Sequence, residues 1–308
     1  MAKLGRGRRG AVTSTVPLTL GDALSSWQFA PLVSALLALL AACYLAGAWR
    51  VWHRHPARPW PPARTLAFFA GLAVIAVATQ SSIGVYDDVL FSVHMVQHLL
   101  LIMVAPPLLV TGRPVTLLLH AAGNPLHTWV KQALRSRAVA ALTWPPGIVV
   151  LYAAVVAATH LTPFMNLVLT NDAVHDAEHA LYLLVGYLYF LPVIGSEPIR
   201  PRVSVFGRYL LLLATMPLDM AVGVTLMLVP HEIFPAYAQV GRDWGPGLVA
   251  DLHLGGFIMF AGGDLIMTVL GVAMAVSLVR RPPRPGLTDG AAALAAYNTS
   301  LWIDFPDN

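Results

Sequence analysis

Apolar residues in this chain come in long runs, without the alternation of a half-buried strand or the narrow stripe of a surface helix. Seven runs approach or exceed the roughly 20 residues that a helix needs to cross a hydrocarbon core of about 30 Å. They fall at about 30–49, 65–84, 89–110, 144–161, 173–195, 205–229 and 249–279, separated by Pro, Gly and charged clusters. The pattern predicts an all-α integral membrane protein: a bundle of about seven transmembrane helices over 30–280, with an N-terminal tail over 1–29 and a flexible C-terminal tail over 281–308. The third run contains Pro106 and Pro107 and leads into Thr111-Gly112-Arg113-Pro114, so its helix should kink or end there. From Val115 to Arg137, Leu117, Leu118, Leu126, Trp129 and Leu134 are interspersed with Lys131, Arg135 and Arg137. That mixture predicts an amphipathic interfacial segment between the third and fourth helices, interrupted at Gly123-Asn124-Pro125. The seventh run exceeds one crossing, and Gly255, Gly256, Gly262 and Gly263 permit close packing or a bend within it.

Composition supports lipid as the solvent, because 57% hydrophobic against 11% charged residues leaves too little polar surface for a water-soluble particle of 308 residues. The formal net charge of +4 bears on orientation and gives no reason to expect nucleic acid as a partner. Basic residues occupy alternate loops: Arg50, Arg54, Arg58 and Arg64, then Arg113, Lys131, Arg135 and Arg137, then Arg200, Arg202 and Arg208, then Arg280, Arg281 and Arg284. Those loops and the C-terminus are expected in the cytoplasm of a multi-pass plasma-membrane protein, with the N-terminus outside. Lys3, Arg6, Arg8 and Arg9 run against that placement and leave room for an eighth crossing. The one cysteine, Cys43, excludes an intrachain disulfide and any Cys-x-x-Cys motif, so soft-metal chemistry would fall to His and Met.

Seven of the 11 histidines gather toward the other face: His94 and His98, His160, His175 and His179, His231, and His253. The pairs His94/His98 and His175/His179 are each four residues apart, so on a helix both rings of a pair project from one side, a spacing suited to one metal or two adjacent ones. Asp176, Glu178 and Asp251 lie at the same depth as candidate partners that would hold ring tautomers. The plainer reading of any single histidine is interhelical hydrogen-bonding. Two matched pairs at one depth are harder to attribute to packing, since polar groups within spans are costly. Met95 adds a thioether beside His94, and Met103, Met216 and Met220 lie deeper, although Met is also ordinary filling between helices. Imidazole with thioether suits copper, especially Cu(I). Asp219 and Asp264, deep in the sixth and seventh runs, should face the bundle interior. The candidate metal set is therefore His94, His98, His160, His175, His179, His253, Met95, Asp219 and Asp251.

The run Phe91-Ser92-Val93-His94-Met95-Val96-Gln97-His98-Leu99-Leu100-Leu101, followed by Pro106-Pro107-Leu108-Leu109 and Gly112-Arg113-Pro114, resembles the signature of the Bacillus-type CtaG family of cytochrome c oxidase assembly proteins. His175 to His179, Met216-Pro217 and Asp251 followed by Gly255-Gly256-Phe257-Ile258-Met259 fit the same family, and the likeness runs from about Thr65 to Val279. Where the family pattern has Asp-Gln before the last Gly-Gly pair, this chain has Asp251-Leu252-His253, which adds a potential ligand. The resemblance implies seven spans and a part in maturing haem-copper oxidases at the copper-loading stage. Its partners would be an oxidase subunit, the lipid bilayer and an extracytoplasmic copper chaperone. A membrane metallo-oxidoreductase with di-iron or haem, and a copper permease using the same histidines, remain as alternatives.

Alternating basic loops yield a topological expectation. Reporter fusions at Arg58 and Lys131 should report the cytoplasm, and fusions at Asn171 and Gly241 the exterior. A cytoplasmic Asn171 would invert the orientation.

Overall fold

A computed structural model of the chain describes residues 17–19, 21, 25–199 and 202–279. The expected C-terminal tail, most of the N-terminal tail, Arg200 and the terminal basic residues lie outside the described residues. The rest is helical: α1 (Pro31–Arg54), α2 (Pro62–Gln80), α3 (Ser82–Tyr86), α4 (Phe91–Leu99), α5 (Ala105–Thr111), α6 (Pro114–Ala121), α7 (Leu126–Leu134), α8 (Arg137–Leu142), α9 (Pro145–Leu161), α10 (Phe164–Thr170), α11 (Asp172–Ile194), α12 (Val205–Leu228), α13 (Pro235–Ala238), α14 (Leu248–Phe257) and α15 (Gly263–Val279). Turns of π-helix at Leu100–Val104 and Ile258–Gly262 join α4 to α5 and α14 to α15. Six helices or helix combinations are long and apolar enough to cross a membrane. The bent pair α9 and α10, turning by 72° at Thr162-Pro163, makes a seventh crossing if counted as one span.

The third span forms the axis of the bundle. Within its most apolar stretch 67% of residues are buried, against 6% in α1, so α1 is peripheral and turns Leu32, Leu36, Leu39 and Leu40 outward to lipid. Around the axis stand α2, α11 and α14, while α12 packs between α14 and α9. Pro106 and Pro107 cannot donate to the carbonyls a turn above, and the ladder widens into the π turn immediately before them. Against the carbonyl of Ile102, α11 places Gly186, where any Cβ would collide with that oxygen. Likewise Gly255 of α14 lies against Phe91 and Met95 of α4. Small residues therefore set the distance at which both neighbours approach the axis.

One sequence expectation needs correction. The stretch from Val115 to Arg137 is not interfacial throughout, because α6 continues the third span as one apolar unit, Phe91–Ala121, with Leu117, Leu119 and Ala121 buried. The break at Gly112 is absorbed by a single left-handed residue, Arg113 (φ 53°), after which Pro114 starts the next helix. Only α7 and α8 have the interfacial character, with no buried residue in either and Trp129 and Leu126 exposed.

Two remote carboxylates cap the segments of this axial span. At its first end Asp251 accepts from the Phe91 N–H (2.8 Å), the Ser92 N–H (3.3 Å) and the Ser92 hydroxyl (2.5 Å), with the Arg242 guanidinium 3.5 Å away. At the start of α6, within the span, Glu197 accepts from Val115 N–H (3.0 Å), Thr116 N–H (2.9 Å) and the Thr116 hydroxyl (2.6 Å). Burial pushes the Glu197 carboxyl above its ordinary pKa, and these donors work against that shift. Each carboxylate satisfies helix N–H groups that have no partner in their own turn.

Asp251 was a candidate ligand, and its oxygens are instead engaged at the start of α4. Asp251→Ala should lower unfolding stability by about 1–3 kcal/mol, since it leaves buried donors and Arg242 without their acceptor. Thermal unfolding in detergent measures this, and an unchanged midpoint would remove Asp251 from its capping role.

Candidate metal centre

Three helices and one turn converge at the end of the bundle where Asp251 caps α4. On α4, His94, Gln97 and His98 are spaced at i, i+3 and i+4 and share a face. On α11, capped by Asn171 accepting from Ala173 N–H (3.0 Å) and Val174 N–H (3.2 Å), the residues His175, Glu178, His179 and Tyr182 recur at the same spacing. The last turn of α9 supplies His160, just before the bend. Asp87 sits in the turn after α3, where its carbonyl accepts from the Tyr237 hydroxyl (3.0 Å).

The rings form a continuous layer. His94 contacts His98 edge-on at 4.2 Å between centroids and stacks on His175 at 5.5 Å, and His98 stacks on Tyr182 at 4.1 Å. His94, His98, His160, Glu178 and Asp87 are all almost completely buried. Two groups of three buried side chains each bring their donor atoms within 4.8 Å of one another: His94, His98 and Glu178, and Asp87, His94 and His175. His94 belongs to both.

Hydrogen bonding assigns the tautomers on one side of this layer. His160 Nδ1 lies 2.9 Å from the Val156 carbonyl, so it carries the proton and donates, leaving Nε2 as an acceptor. His98 Nδ1, 3.3 Å from that Nε2, is then the donor, and His98 Nε2 keeps a bare lone pair. The Tyr182 and Thr159 hydroxyls, 2.6 Å apart, close the far side of His160. His98 Nε2 lies 3.5 Å from Glu178 Oε2, and His94 Nε2 lies 3.6 Å from the same oxygen. Neither Glu178 oxygen, neither nitrogen of His94 nor His98 Nε2 has a hydrogen-bond partner.

An imidazolium paired with a carboxylate closes to about 2.7–2.9 Å. These separations are longer and match the roughly 3.3–3.6 Å between neighbouring ligand atoms of a tetrahedral ion bound at about 2.0–2.2 Å. The residues present therefore fit a divalent metal ion, with His94, His98 and Glu178 as the ligand set. Gln97 organises the adjoining group: its amide donates to the Ala78 carbonyl (2.9 Å) and to Asp87 Oδ2 (2.7 Å) and accepts from His179 Nε2 (2.8 Å). Asp87 Oδ2 in turn lies 3.6 Å from His175 Nε2. His179 thus stands behind the cluster, oriented through Gln97.

The other candidates lie elsewhere. Met95, next to His94 in sequence, is turned about 100° further around α4 and packs at Gly255. His253 Nε2 donates to the Val229 carbonyl (2.8 Å) at the end of α12, and His231 is exposed in the following loop. Asp219 is buried in mid-bundle, where the Tyr152 hydroxyl reaches both of its oxygens at 3.1 Å. The sequence marks Glu178 only as a supporting partner and gives no role in the cluster to Asp87, Gln97 or Tyr182. The i, i+3, i+7 relation of His175, Glu178 and Tyr182 is a signal for Tyr182 and for the central place of Glu178. Asp87 carries no periodic signal, because a turn and not a helix face delivers it.

The sequence model of the family described as cytochrome c oxidase caa3 assembly factor matches residues 42–281. Uncharacterized proteins of Mycobacterium bovis and Mycobacterium tuberculosis are each 31% identical over 301 residues, covering 92% of this chain and 45% of theirs. An uncharacterized protein of Mycobacterium leprae is 30% identical over 279 residues, covering 88% of this chain and 42% of its own length. The chain thus spans less than half the length of these curated relatives. No solved structure matches. Because the family match encloses the axial span, its glycine contacts and every residue of the buried cluster, the chain belongs to the cytochrome c oxidase caa3 assembly factors.

Proposed function

We propose that this assembly factor binds copper as cargo at His94, His98 and Glu178, flanked by His160, His175 and Asp87, and assists its loading into a haem-copper oxidase subunit. One observation carries the reading: His94 Nε2 and His98 Nε2 lie 3.6 and 3.5 Å from one buried Glu178 oxygen, and none of these three atoms has a hydrogen-bond partner. Two acceptors so placed repel each other, and a buried carboxylate without a hydrogen bond costs several kcal/mol, so a cation between them removes both penalties. The donor set is imidazole and carboxylate, with Met95 turned away, which suits divalent copper better than Cu(I). An extracytoplasmic copper chaperone would supply the ion at the histidine end, and the oxidase subunit would accept it there.

A second reading has its own support. His94 joins two carboxylate-bearing groups, an arrangement that can hold two adjacent ions and so fits a membrane metallo-oxidoreductase. The visible spectrum of the metal-loaded protein separates it from a copper carrier, since a haem or di-iron centre has its own absorption.

Metal analysis of the purified full chain, offered copper, zinc and ferrous iron separately, should give copper retention that His94→Ala/His98→Ala abolishes. Glu178→Gln should weaken it by at least tenfold, because it removes the only anion from the first group. Retention at the wild-type level in the double variant would overturn the site.

In cells lacking this protein, oxidase activity should fall and return in part with added copper, since a delivery factor is bypassed by raising its cargo. Complementation with His94→Ala/His98→Ala should fail at low copper and improve at high copper. Full activity at low copper would sink the delivery role while leaving family membership intact.

A further inference from the structure

The middle of the bundle holds an acid that the metal site does not use. Asp219 lies well inside α12, roughly 13 Å of helix from the nearer end, and is 1% exposed. Its hydrogen-bond partner among the described residues is the Tyr152 hydroxyl of α9, 3.1 Å from each of its oxygens, and no Lys, Arg or His among them pairs with it. From the elements packed against α12, the titratable groups that interact with Asp219 are Tyr152, Tyr182 and Tyr189 of α9 and α11 and Asp264 of α15. Among the described residues, α14 and the π turn at Ile258–Gly262 add none. Asp264 Oδ1 is itself buried without a hydrogen-bond partner among the described residues. Neither Asp219 nor Tyr152 belongs to a ligand group of the histidine layer, so the role of this acid is independent of the copper reading.

The number of donors separates Asp219 from the capping carboxylates. Asp251 and Glu197 each accept three hydrogen bonds, whereas Asp219 has one O–H to divide between two oxygens. As a carboxylate it would stand deep in the membrane without a countercharge, and Asp264 would repel it when both were charged. As a neutral acid it donates its own proton to the phenol oxygen while the phenol donates to its other oxygen, and both 3.1 Å contacts become hydrogen bonds. Hydroxyl groups continue from this pair along the bundle. The Tyr152 ring lies 5.2 Å from that of Tyr189, whose hydroxyl donates to the Leu211 carbonyl (2.9 Å) and lies 3.0 Å from Thr215 Oγ1, about one turn before Asp219. Intramembrane carboxyls that alternate between acid and anion are the elements from which proton relays are built. We infer that this protein has a proton-binding site in the middle of the membrane, with Asp219 as the acid, Tyr152 as its hydrogen-bond partner and a proton that exchanges with the medium.

Infrared difference spectroscopy of the purified full chain in detergent, wild type minus Asp219→Asn, tests it. Asparagine keeps the size of the side chain and its capacity to bond with the Tyr152 hydroxyl, so the variant is expected to fold, and thermal unfolding checks this. At neutral pH the difference should contain the C=O stretch of a protonated carboxyl. That band should move to lower frequency in heavy water, where O–D replaces O–H, and should be lost as the medium is made alkaline. Tyr152→Phe leaves the acid in place and reads the same band without the first variant: the band should persist and move to higher frequency, because its hydrogen bond is gone. No carboxyl band at neutral pH would mean that Asp219 is ionised and would overturn the site. A band indifferent to heavy water and to pH would make Asp219 a fixed structural acid and would overturn it equally. A band that Tyr152→Phe does not move would remove Tyr152 as the partner and with it the site as described.

Discussion

Glu178 is buried beside two imidazoles and receives a hydrogen bond from neither, and much of the bundle can be understood as holding it there. Its depth is fixed by the approach of α11 to the axial span, which in turn depends on Gly186 standing against the Ile102 carbonyl. The carbonyl faces outward there because Pro106 has no N–H to offer it. On the facing side, the orientation of His98 follows from a relay in which His98 Nδ1 donates to His160 Nε2 and His160 Nδ1 donates to the Val156 carbonyl. The position of one carboxylate thus depends on a glycine, a proline and a histidine drawn from three helices.

The bundle treats its acidic residues in two opposite ways. Asp251 and Glu197 accept three hydrogen bonds each from helix starts, which disperses their charge over backbone dipoles and fixes the first turns of α4 and α6 within the axial span. Glu178 accepts none and keeps its charge available. The distinction lies in where each group meets a helix. A carboxylate reaching the first turn finds free N–H groups, whereas one projecting from the middle of a helix toward another helix's middle finds only side chains.

Span placement was legible in the sequence because lipid leaves a one-dimensional signal: each predicted run falls within a few residues of an observed helix. The convergence of His94 with His98 was also legible, since four residues is close to one helical turn. Less visible was which way each helix turns its second face. Met95 and His94 are adjacent in sequence but about 100° apart around the helix, so one enters the cluster and the other packs on Gly255. Asp251 and His253 lie at the expected depth and are consumed by local backbone groups, a distinction that residue type alone does not carry. The extension of the third span into α6 was hidden for a related reason, because Pro-Pro and Gly-Arg-Pro signal breaks that a widened turn and one left-handed residue can absorb.

The π turn at Leu100–Val104 also acts as a phase shifter. A π turn accommodates one residue more than the α-helical repeat, and each residue advances the helix by about 100°. The extra residue sets the angular offset between the histidine-bearing segment above and the segment below, whose Pro106 meets α11 at Gly186. If the span were regularised to uninterrupted α-helix by losing one residue there, every individual contact surface would survive intact. The two halves would nevertheless be misaligned by more than a quarter turn, and His94 and His98 could not face α11 while Pro106 kept its seat. The length of this helix is therefore tuned in rotation as much as in reach.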